Sequence, residues 1–448
     1  MTEKKIGFLE AFSIGVGGMV GGGIFAVLGL TIDLAKGAAP ISFAVAGFIA
    51  LVTVYSYVKL SLRYPSEGGT IEFIVQAFGN GMFSAFINTL MLVSYVIMIA
   101  LYAYAFGSYG SALFVGTDVA WLHHTLAVSV IVIFTLINLM GAYLTGKTED
   151  IMVFLKIAIL LLFAGVGLAT ADFSRMSPEH YESIPSIITG GLIIFLAYEG
   201  FELIANTARD VENPEKNLPL AYYSAVIFVI ALYVLIAVVT IGNVSFEEAK
   251  KAQDYVLAIA AKPFFGEAGF VLIGIAALLS TASAINATIY GSGRVAVLVA
   301  KLGELPKTFE KRIKYGFEGM IILALLSIIF TLSFDIENIS IAGSIGFLII
   351  FSLVNLANFK LYKETKGCRL ISGFGFLLSL SAIGVLVWYN ALHSPQSLKT
   401  SLIAILIVAL FVVVYYFIKK ENRIALFIDK NLQEDEEKRV KETVDNVR

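Results

Sequence analysis

Residues 15–25 read GVGGMVGGGIF and lie inside the first long apolar run of the chain. Six of the first nine positions are glycine, and each glycine weakens a helix by about 1 kcal/mol relative to alanine. One interpretation is a small-residue packing face, which needs a single stripe of glycines four apart. Gly21, Gly22 and Gly23 are consecutive, however, and cover the whole circumference of a helix. We therefore expect the first apolar segment to unwind at these glycines.

A second anomaly stands in the sixth apolar segment, where residues 193–202 read IIFLAYEGFE. Gly200 lies between Glu199 and Glu202 near the middle of this run. Ionisable groups at bilayer depth are costly and usually face a cavity or a partner. Unwound backbone is tolerated there only where it lines protein or water. We expect a second break here; the alternative is that Glu202 begins the solvated cytoplasmic half of the segment.

Composition indicates the class of protein. Of 448 residues, 58% are hydrophobic and 15% are charged, whereas soluble domains are about 45–50% apolar and about 25% charged. We predict an all-α membrane protein with 12 transmembrane helices, which excludes a soluble enzyme. Their approximate limits are 9–34, 40–63, 82–112, 124–144, 149–171, 186–207, 218–242, 265–296, 317–334, 339–362, 370–391 and 398–420.

Three stretches do not fit a spanning role. Residues 65–79 are too polar to cross and predict a loop or a half-buried helix. Residues 245–262 are amphipathic and are expected to lie on one membrane face. Residues 421–448 form a charged tail.

The smaller counts exclude other classes. Cys368 is the single cysteine, so an intrachain disulfide is impossible. The 4 histidines fall in polar breaks and no HExxH motif occurs, so we expect no metal site and no cofactor. A net charge of −2 gives no electrostatic indication of nucleic acid binding. No cleavage site follows the first apolar run, which favours a retained first span over a signal peptide.

Lysine and arginine placement predicts the orientation. With a cytoplasmic N-terminus, 20 basic residues up to Arg423 fall on inner segments and 6 on outer ones, before the rest of the tail is counted. The positive-inside rule then places both termini in the cytoplasm.

The two expected breaks lie five segments apart. Because five is odd, a second set of five helices is inverted relative to the first. The predicted units are residues 1–171 and 186–362 as the two repeats, 370–420 as helices 11 and 12, and 421–448 as a cytoplasmic tail. Paired discontinuous helices indicate a transporter's binding site. Free N–H groups suit a carboxylate and free C=O groups an ammonium, so a zwitterionic amino acid is the expected ligand.

Before the tail is counted, Lys156 is the one basic residue that belongs to neither the inner nor the outer segments. It lies about 7–8 Å from the cytoplasmic end, so its amine could reach the membrane surface by snorkelling. Alternatively, a lysine at this depth is retained by pairing or by exchanging its proton. Ser280, Thr281 and Ser283 offer hydroxyl partners at mid-depth in the eighth segment.

The pattern resembles the amino acid–polyamine–organocation transporters over about residues 8–420. The resemblance is carried by residues 15–25, PSEGG at 65–69, AYEGFE at 197–202, NPEKNLP at 213–219 and LGELP at 302–306. Within that family the chain is similar to a proton-coupled, sodium-independent archaeal permease. That similarity is carried by STASAINATIYG at 280–291 and by Lys156.

The resemblance implies a fold and a set of sites. The fold is LeuT-like, a five-plus-five inverted repeat with discontinuous helices 1 and 6 and two extra C-terminal helices. The Lys156 ammonium would occupy the ion position of sodium-coupled relatives. The implied proton-coupling contacts of Lys156 are Gly17, Val20, Ser280 and Ser283. The implied contacts of the substrate carboxylate are Gly21, Gly22 and Gly23. The implied contacts of the substrate amine are Phe195, Ala197 and Tyr198.

Glu199 departs from the family pattern, which usually has a neutral residue at that position. It could pair a cationic side chain, carry a proton or contact a neighbouring polar group. Glu202 is a common family residue that could gate the site or bind protons.

The expected function is secondary active transport of amino acids across the cell membrane by alternating access. Coupling to protons through Lys156, without sodium, is favoured because a fixed ammonium would compete with sodium. An amino acid exchanger and a cationic amino acid or polyamine transporter remain alternatives, as does a transport-like sensor. The expected partners are the amino acid, protons and the lipid bilayer, and a monomer could be sufficient.

Overall fold

The computed structural model describes residues 6–140, 146–313 and 316–418, and within α-helices it describes side chains except those of residues 146–151 and 418. Apart from one hairpin, in which Arg312–Ile313 (β1) pairs antiparallel with Gly316–Phe317 (β2), the regular structure of these residues is helical. The predicted tail, 421–448, lies outside the described residues.

The α-helices of the described residues are α1 Phe8–Met19, α2 Gly23–Ala35, α3 Ala39–Arg63, α4 Thr70–Phe78, α5 Met82–Val115, α6 Ala120–Leu139, α7 Gly146–Gly167, α8 Ile184–Ile193, α9 Pro214–Asn243, α10 Phe246–Lys251, α11 Val256–Lys301, α12 Glu318–Ser333, α13 Ile336–Lys360, α14 Arg369–His393 and α15 Pro395–Ile418. The 3₁₀ segments are Phe173–Met176, Pro178–His180, Phe195–Thr207, Gln253–Tyr255 and Lys307–Glu310.

Many of these helices are long and apolar enough to cross a bilayer. In the described part of the chain 9 helices qualify, and the bent pair formed by α1 and α2 raises the number to 10. Two further apolar helices, Met152–Gly167 and Glu318–Ser333, are shorter. The predicted all-α, multi-pass membrane protein is therefore confirmed, whereas the count of 12 spans and the inverted repeat stay predictions.

The first span is broken where its glycines are most concentrated. α1 ends at Met19 and α2 begins at Gly23, and their axes differ by 46°. Three consecutive glycines lower the cost of leaving the helical conformation at this point.

The sixth apolar segment also changes geometry midway. α8 ends at Ile193, and from Phe195 to Thr207 the chain is wound as a 3₁₀ helix of 13 residues. Runs of 3₁₀ helix beyond three or four residues are uncommon, because the hydrogen bonds are poorly aligned. So long a run inside an apolar segment indicates that tertiary contacts hold it. We call Phe195–Thr207 the 3₁₀ span.

α1 and the 3₁₀ span cross with their backbones in direct contact. A β-carbon on Gly200 would overlap the carbonyl carbon of Gly18 and the amide nitrogen of Met19. A β-carbon on Gly18 would lie 2.9 Å from the carbonyl oxygen of Gly200. Neither glycine can carry a side chain unless the two segments separate.

The chain preceding α1 is attached to the chain that follows the 3₁₀ span. The Ile6 N–H donates to the carbonyl of Asp210 at 2.8 Å, and the Glu212 N–H donates to the carbonyl of Ile6 at 2.8 Å. These two bonds form a parallel bridge between Ile6 and Val211. We call this pairing the Ile6 bridge.

Of the two polar stretches, the first contains the helix that was one of its two expected forms, and the second differs from expectation. Residues 65–79 contain α4, and this helix is mostly buried because Ile71, Phe73 and Ile74 pack into the core. Residues 245–262 do not form one surface helix. α10 is short, and from Val256 the chain is already in α11, where its alanines are buried. The amphipathic assignment was wrong there because residues 256–261 are apolar enough to join the core.

The crossing predicts a large effect of a small substitution. Gly200→Ala should destabilise the protein by about 1–3 kcal/mol, because the added methyl group meets backbone atoms that cannot rotate away. The measurement is the Tm of the detergent-purified protein. Gly384→Ala is the matched control, because a β-carbon there has nothing within 4 Å. Equal Tm values for the two variants would contradict the close backbone contact.

Candidate functional site

The break after α1 exposes backbone carbonyls that other helices satisfy. The last carbonyls of an α-helix have no partner within the helix. The Gly17 carbonyl accepts a hydrogen bond from Lys156 Nζ at 3.0 Å. The Met19 carbonyl accepts one from the Tyr233 hydroxyl at 2.6 Å. α7 and α9 thus each supply one donor to the end of α1.

α11 supplies a third donor at the same break. The Ser280 hydroxyl lies 3.1 Å from the Val20 carbonyl and also contacts the Gly21 carbonyl. Ser283 is buried about one turn further along α11. Thr281 donates to the Ala277 carbonyl of its own helix at 2.7 Å, so its hydroxyl does not serve the break.

Lys156 lies between α7 and α1 and does not extend to the membrane surface. Its side chain is only 4% exposed, and its amine contacts the end of α1. Beside it, Leu155, Leu279 and Ser280 line a small crevice between α7 and α11. The structure therefore disfavours snorkelling and brings Lys156, Gly17, Val20 and Ser280 to one place.

The break after α8 is held by a serine of α13. The Ser344 hydroxyl donates to the Ile193 carbonyl at 2.7 Å and accepts from the Leu196 N–H at 3.4 Å. Tyr198 donates its hydroxyl hydrogen to the Phe43 carbonyl at 3.0 Å. The backbone at the start of the 3₁₀ span is thereby fixed.

The structure brings the two breaks together. A β-carbon on Gly23 would lie 2.7 Å from the Ala197 β-carbon, so α2 begins directly against the start of the 3₁₀ span. Tyr233 lies 3.4 Å from the Ala197 carbonyl and thus bridges both breaks. The first N–H groups of α2 lack carbonyl partners within the helix. The glycines predicted for a carboxylate therefore lie beside the residues predicted for an amine.

Glu202 is enclosed by hydroxyl groups. It is 1% exposed, and it accepts hydrogen bonds from Tyr95 at 2.6 Å, Thr70 at 3.0 Å and Tyr57 at 3.4 Å. These donors lie on α5, α4 and α3. Glu202 is therefore not solvated in this structure, and it connects the 3₁₀ span to three other helices.

Glu199 is also buried, at 6% exposure. Its Oε2 atom has no hydrogen-bond partner among the described residues. It interacts electrostatically with Tyr95, Tyr102 and Tyr233, which surround it from α5 and α9. A buried carboxylate oxygen without a donor is costly and suits a site where a ligand or a proton supplies the missing group.

Sequence reasoning missed the tyrosines. Tyr95 and Tyr102 are seven residues apart on α5 and so lie on one face of that helix. A buried tyrosine hydroxyl generally needs a partner. Two tyrosines at this spacing inside an apolar segment could have indicated a buried polar partner. Tyrosine is also common at membrane interfaces, however, so the spacing is a weak indication.

No cluster of three or more histidine, cysteine or acidic residues that could hold a metal ion occurs in the described ranges.

Comparison with known proteins shows the family of this chain. The family model described as amino acid permease matches residues 6–420. The chain is 36% identical over 392 residues to an uncharacterized protein of Methanocaldococcus jannaschii, covering 87% of this chain and 90% of that protein. It is 34% identical over 386 residues to the inner membrane transport protein YbaT of Escherichia coli, covering 85% and 89%.

A more distant relative is the chloroplastic cationic amino acid transporter 9 of Arabidopsis thaliana. It is 25% identical over 331 residues, which cover 69% of this chain and 57% of that protein. The family match extends over nearly all of the described residues and over both broken spans. The chain belongs to the amino acid permease family.

Proposed function

We propose that this permease moves amino acids across the cell membrane by alternating access, coupled to protons and independent of sodium, with Lys156 carrying the proton. The observation that supports the coupling role most directly is the 3.0 Å hydrogen bond from Lys156 Nζ to the Gly17 carbonyl at the break of the first span.

The charge of Lys156 governs how firmly this contact holds. The C-terminal end of a helix carries partial negative charge, and a cation there contributes about 0.3–1 kcal/mol, or up to about 2 kcal/mol when partly buried. A protonated Lys156 therefore attracts the end of α1, and a neutral amine attracts it less. Tyr233 and Ser280 hold the following carbonyls from α9 and α11, so loss of the charge weakens one of three attachments. Sodium would compete with the ammonium for the same carbonyls.

The substrate follows from the two breaks. A carboxylate suits the free N–H groups at the start of α2, around Gly21, Gly22 and Gly23. An ammonium suits the carbonyls near Phe195, Ala197 and Tyr198. An α-amino acid carries both groups on one carbon atom, and α2 and the 3₁₀ span are in contact at Gly23 and Ala197.

Alternating access needs parts that move relative to one another. We assign residues 1–171 and 186–362 as inverted repeats, with both termini in the cytoplasm, and a monomer as sufficient. Glu202 acts as a gate in this scheme because Tyr57, Thr70 and Tyr95 all bind its carboxylate. Ser283 completes the proton-coupling region on α11.

A cationic amino acid is the second candidate substrate. The observation that favours it is Glu199, whose Oε2 atom is buried and lacks a donor among the described residues. A side-chain ammonium or guanidinium would supply that donor and neutralise the charge. One relative is named as a cationic amino acid transporter, which is consistent with this alternative.

The coupling role is tested by Lys156→Met, which nearly keeps the length of the side chain and removes the amine. In sodium-free proteoliposomes, a membrane potential of about 100 mV supplies about 2.3 kcal/mol per proton, enough for about fifty-fold accumulation. Wild-type protein should accumulate amino acid towards this limit, whereas the variant should only equilibrate it. The measurement is uptake of labelled amino acids with and without an inward proton gradient.

Lys360→Met is the matched control, because Lys360 also donates to a backbone carbonyl, that of Ala77 at 2.7 Å, but away from both breaks. It should retain gradient-driven accumulation. A requirement for sodium, or unchanged proton dependence in Lys156→Met, would contradict the coupling role. Uptake that occurs only after preloading with amino acid would identify an exchanger.

Charge selection is tested by Glu199→Gln. If Glu199 pairs a cationic side chain, the variant should lose roughly tenfold or more in affinity for lysine and arginine, because a charge-assisted hydrogen bond is lost. Affinity for leucine should change much less. The measurement is competition by each amino acid for a labelled substrate. Glu267→Gln, at an exposed ion pair with Lys262, is the control. Equal changes for all substrates would rule out charge selection.

A further inference from the structure

A side chain of α5 covers the break of the first span. A β-carbon on Gly22 would overlap the ring of Tyr102 and lie 2.9 Å from the methyl group of Thr281. A β-carbon on Gly21 would lie 3.4 Å from the Tyr102 hydroxyl oxygen. The ring therefore rests directly on the peptide groups that lead into α2.

This position coincides with the place proposed for the substrate carboxylate. A carboxylate could approach the start of α2 along this side of Gly22 only if the Tyr102 ring were absent. Tyr102 fills the space over Gly22 and is 3% exposed. In this structure, therefore, an amino acid cannot reach the start of α2 along this side.

Tyr102 differs from the other tyrosines near the breaks in being untethered. Tyr95 is bonded to Glu202 at 2.6 Å, Tyr233 to the Met19 carbonyl at 2.6 Å, and Tyr198 to the Phe43 carbonyl at 3.0 Å. Among the described residues, the Tyr102 hydroxyl makes no hydrogen bond, although it interacts electrostatically with Glu199. Its ring can turn without breaking such a bond.

Thr281 is the opposite wall and is fixed. Its hydroxyl is bonded to the Ala277 carbonyl one turn earlier in α11, at 2.7 Å, which turns its methyl group towards Gly22. The space over Gly22 thus has one rigid side, formed by Thr281, and one side able to move, formed by Tyr102.

We propose that Tyr102 determines which amino acids fit: its ring covers Gly22 in the empty site, turns away when substrate binds, and then packs against the substrate side chain. This inference rests on the proposed function, since it assumes an amino acid at the start of α2. The ring then limits the size of the substrate side chain, whereas Glu199 affects which charge that side chain can carry.

The test is direct binding of glycine, alanine, leucine and phenylalanine to purified protein at one pH. The variants are Tyr102→Phe, Tyr102→Leu and Tyr102→Ala. Tyr102→Phe should keep the wild-type order of affinities, because the ring remains. Tyr102→Leu and Tyr102→Ala should shift the ratio of phenylalanine to alanine affinity by roughly tenfold towards phenylalanine, because the ring no longer limits the space.

Two controls separate this role from a general loss of packing. Tyr104→Ala, two residues further along α5 and in contact with His123 at a ring separation of 4.3 Å, should leave the order unchanged. Tyr102→Leu keeps α5 better filled than Tyr102→Ala, so it decides the question if the alanine variant unfolds.

The outcomes distinguish the two proposals. Amino acid binding by wild type, with an unchanged order of affinities in Tyr102→Leu, would overturn the role of Tyr102 alone. An equal shift in Tyr104→Ala would also overturn it, because the effect would then be general. If the wild type bound none of these four amino acids, and neither lysine nor arginine, the proposed function would be overturned and this inference with it.

Discussion

Backbone-to-backbone contact at Gly18 and Gly200 is the constraint on which the rest of the site depends. Two membrane segments can approach this closely only where neither has a side chain. The approach brings the end of α1 against the 3₁₀ span and holds the two breaks beside each other. Groups that leave regular hydrogen bonding at the breaks must then find partners nearby, because neither water nor lipid is available to them within the core. The positions of Lys156, Ser280, Tyr233 and Ser344 follow from that need.

The partners come from different helices, so the breaks connect the whole bundle. α7, α9, α11 and α13 each contribute one donor to backbone carbonyls at a break. Glu202 adds α3, α4 and α5 through three hydroxyl groups. Glu199 stands apart because one of its oxygens is buried without a donor among the described residues. A buried carboxylate oxygen without a donor, beside two breaks whose carbonyls are bonded, suits a ligand or a proton.

Much of this arrangement could be predicted from the sequence, because local composition determines it. Consecutive glycines indicate a break, and an isolated lysine in an apolar run indicates a partner at depth. Tyr102 could not be found in this way, since its importance depends on which residue of a distant helix it covers. Residues 256–261 were misjudged because polar neighbours at 245–254 hid an apolar helix start. Both cases depend on packing between segments that are distant in the chain, and a single sequence does not show which segments pack together.

The Ile6 bridge has a consequence for how the family diverges. Its two hydrogen bonds use only main-chain atoms of Ile6, Asp210 and Glu212. Almost any residue except proline could replace these amino acids without removing the bonds. Related chains could therefore retain the same attachment between the first and sixth spans after every side chain in it has changed. A comparison of sequences would show variable residues in that region, although the two spans remain joined there by main-chain hydrogen bonds.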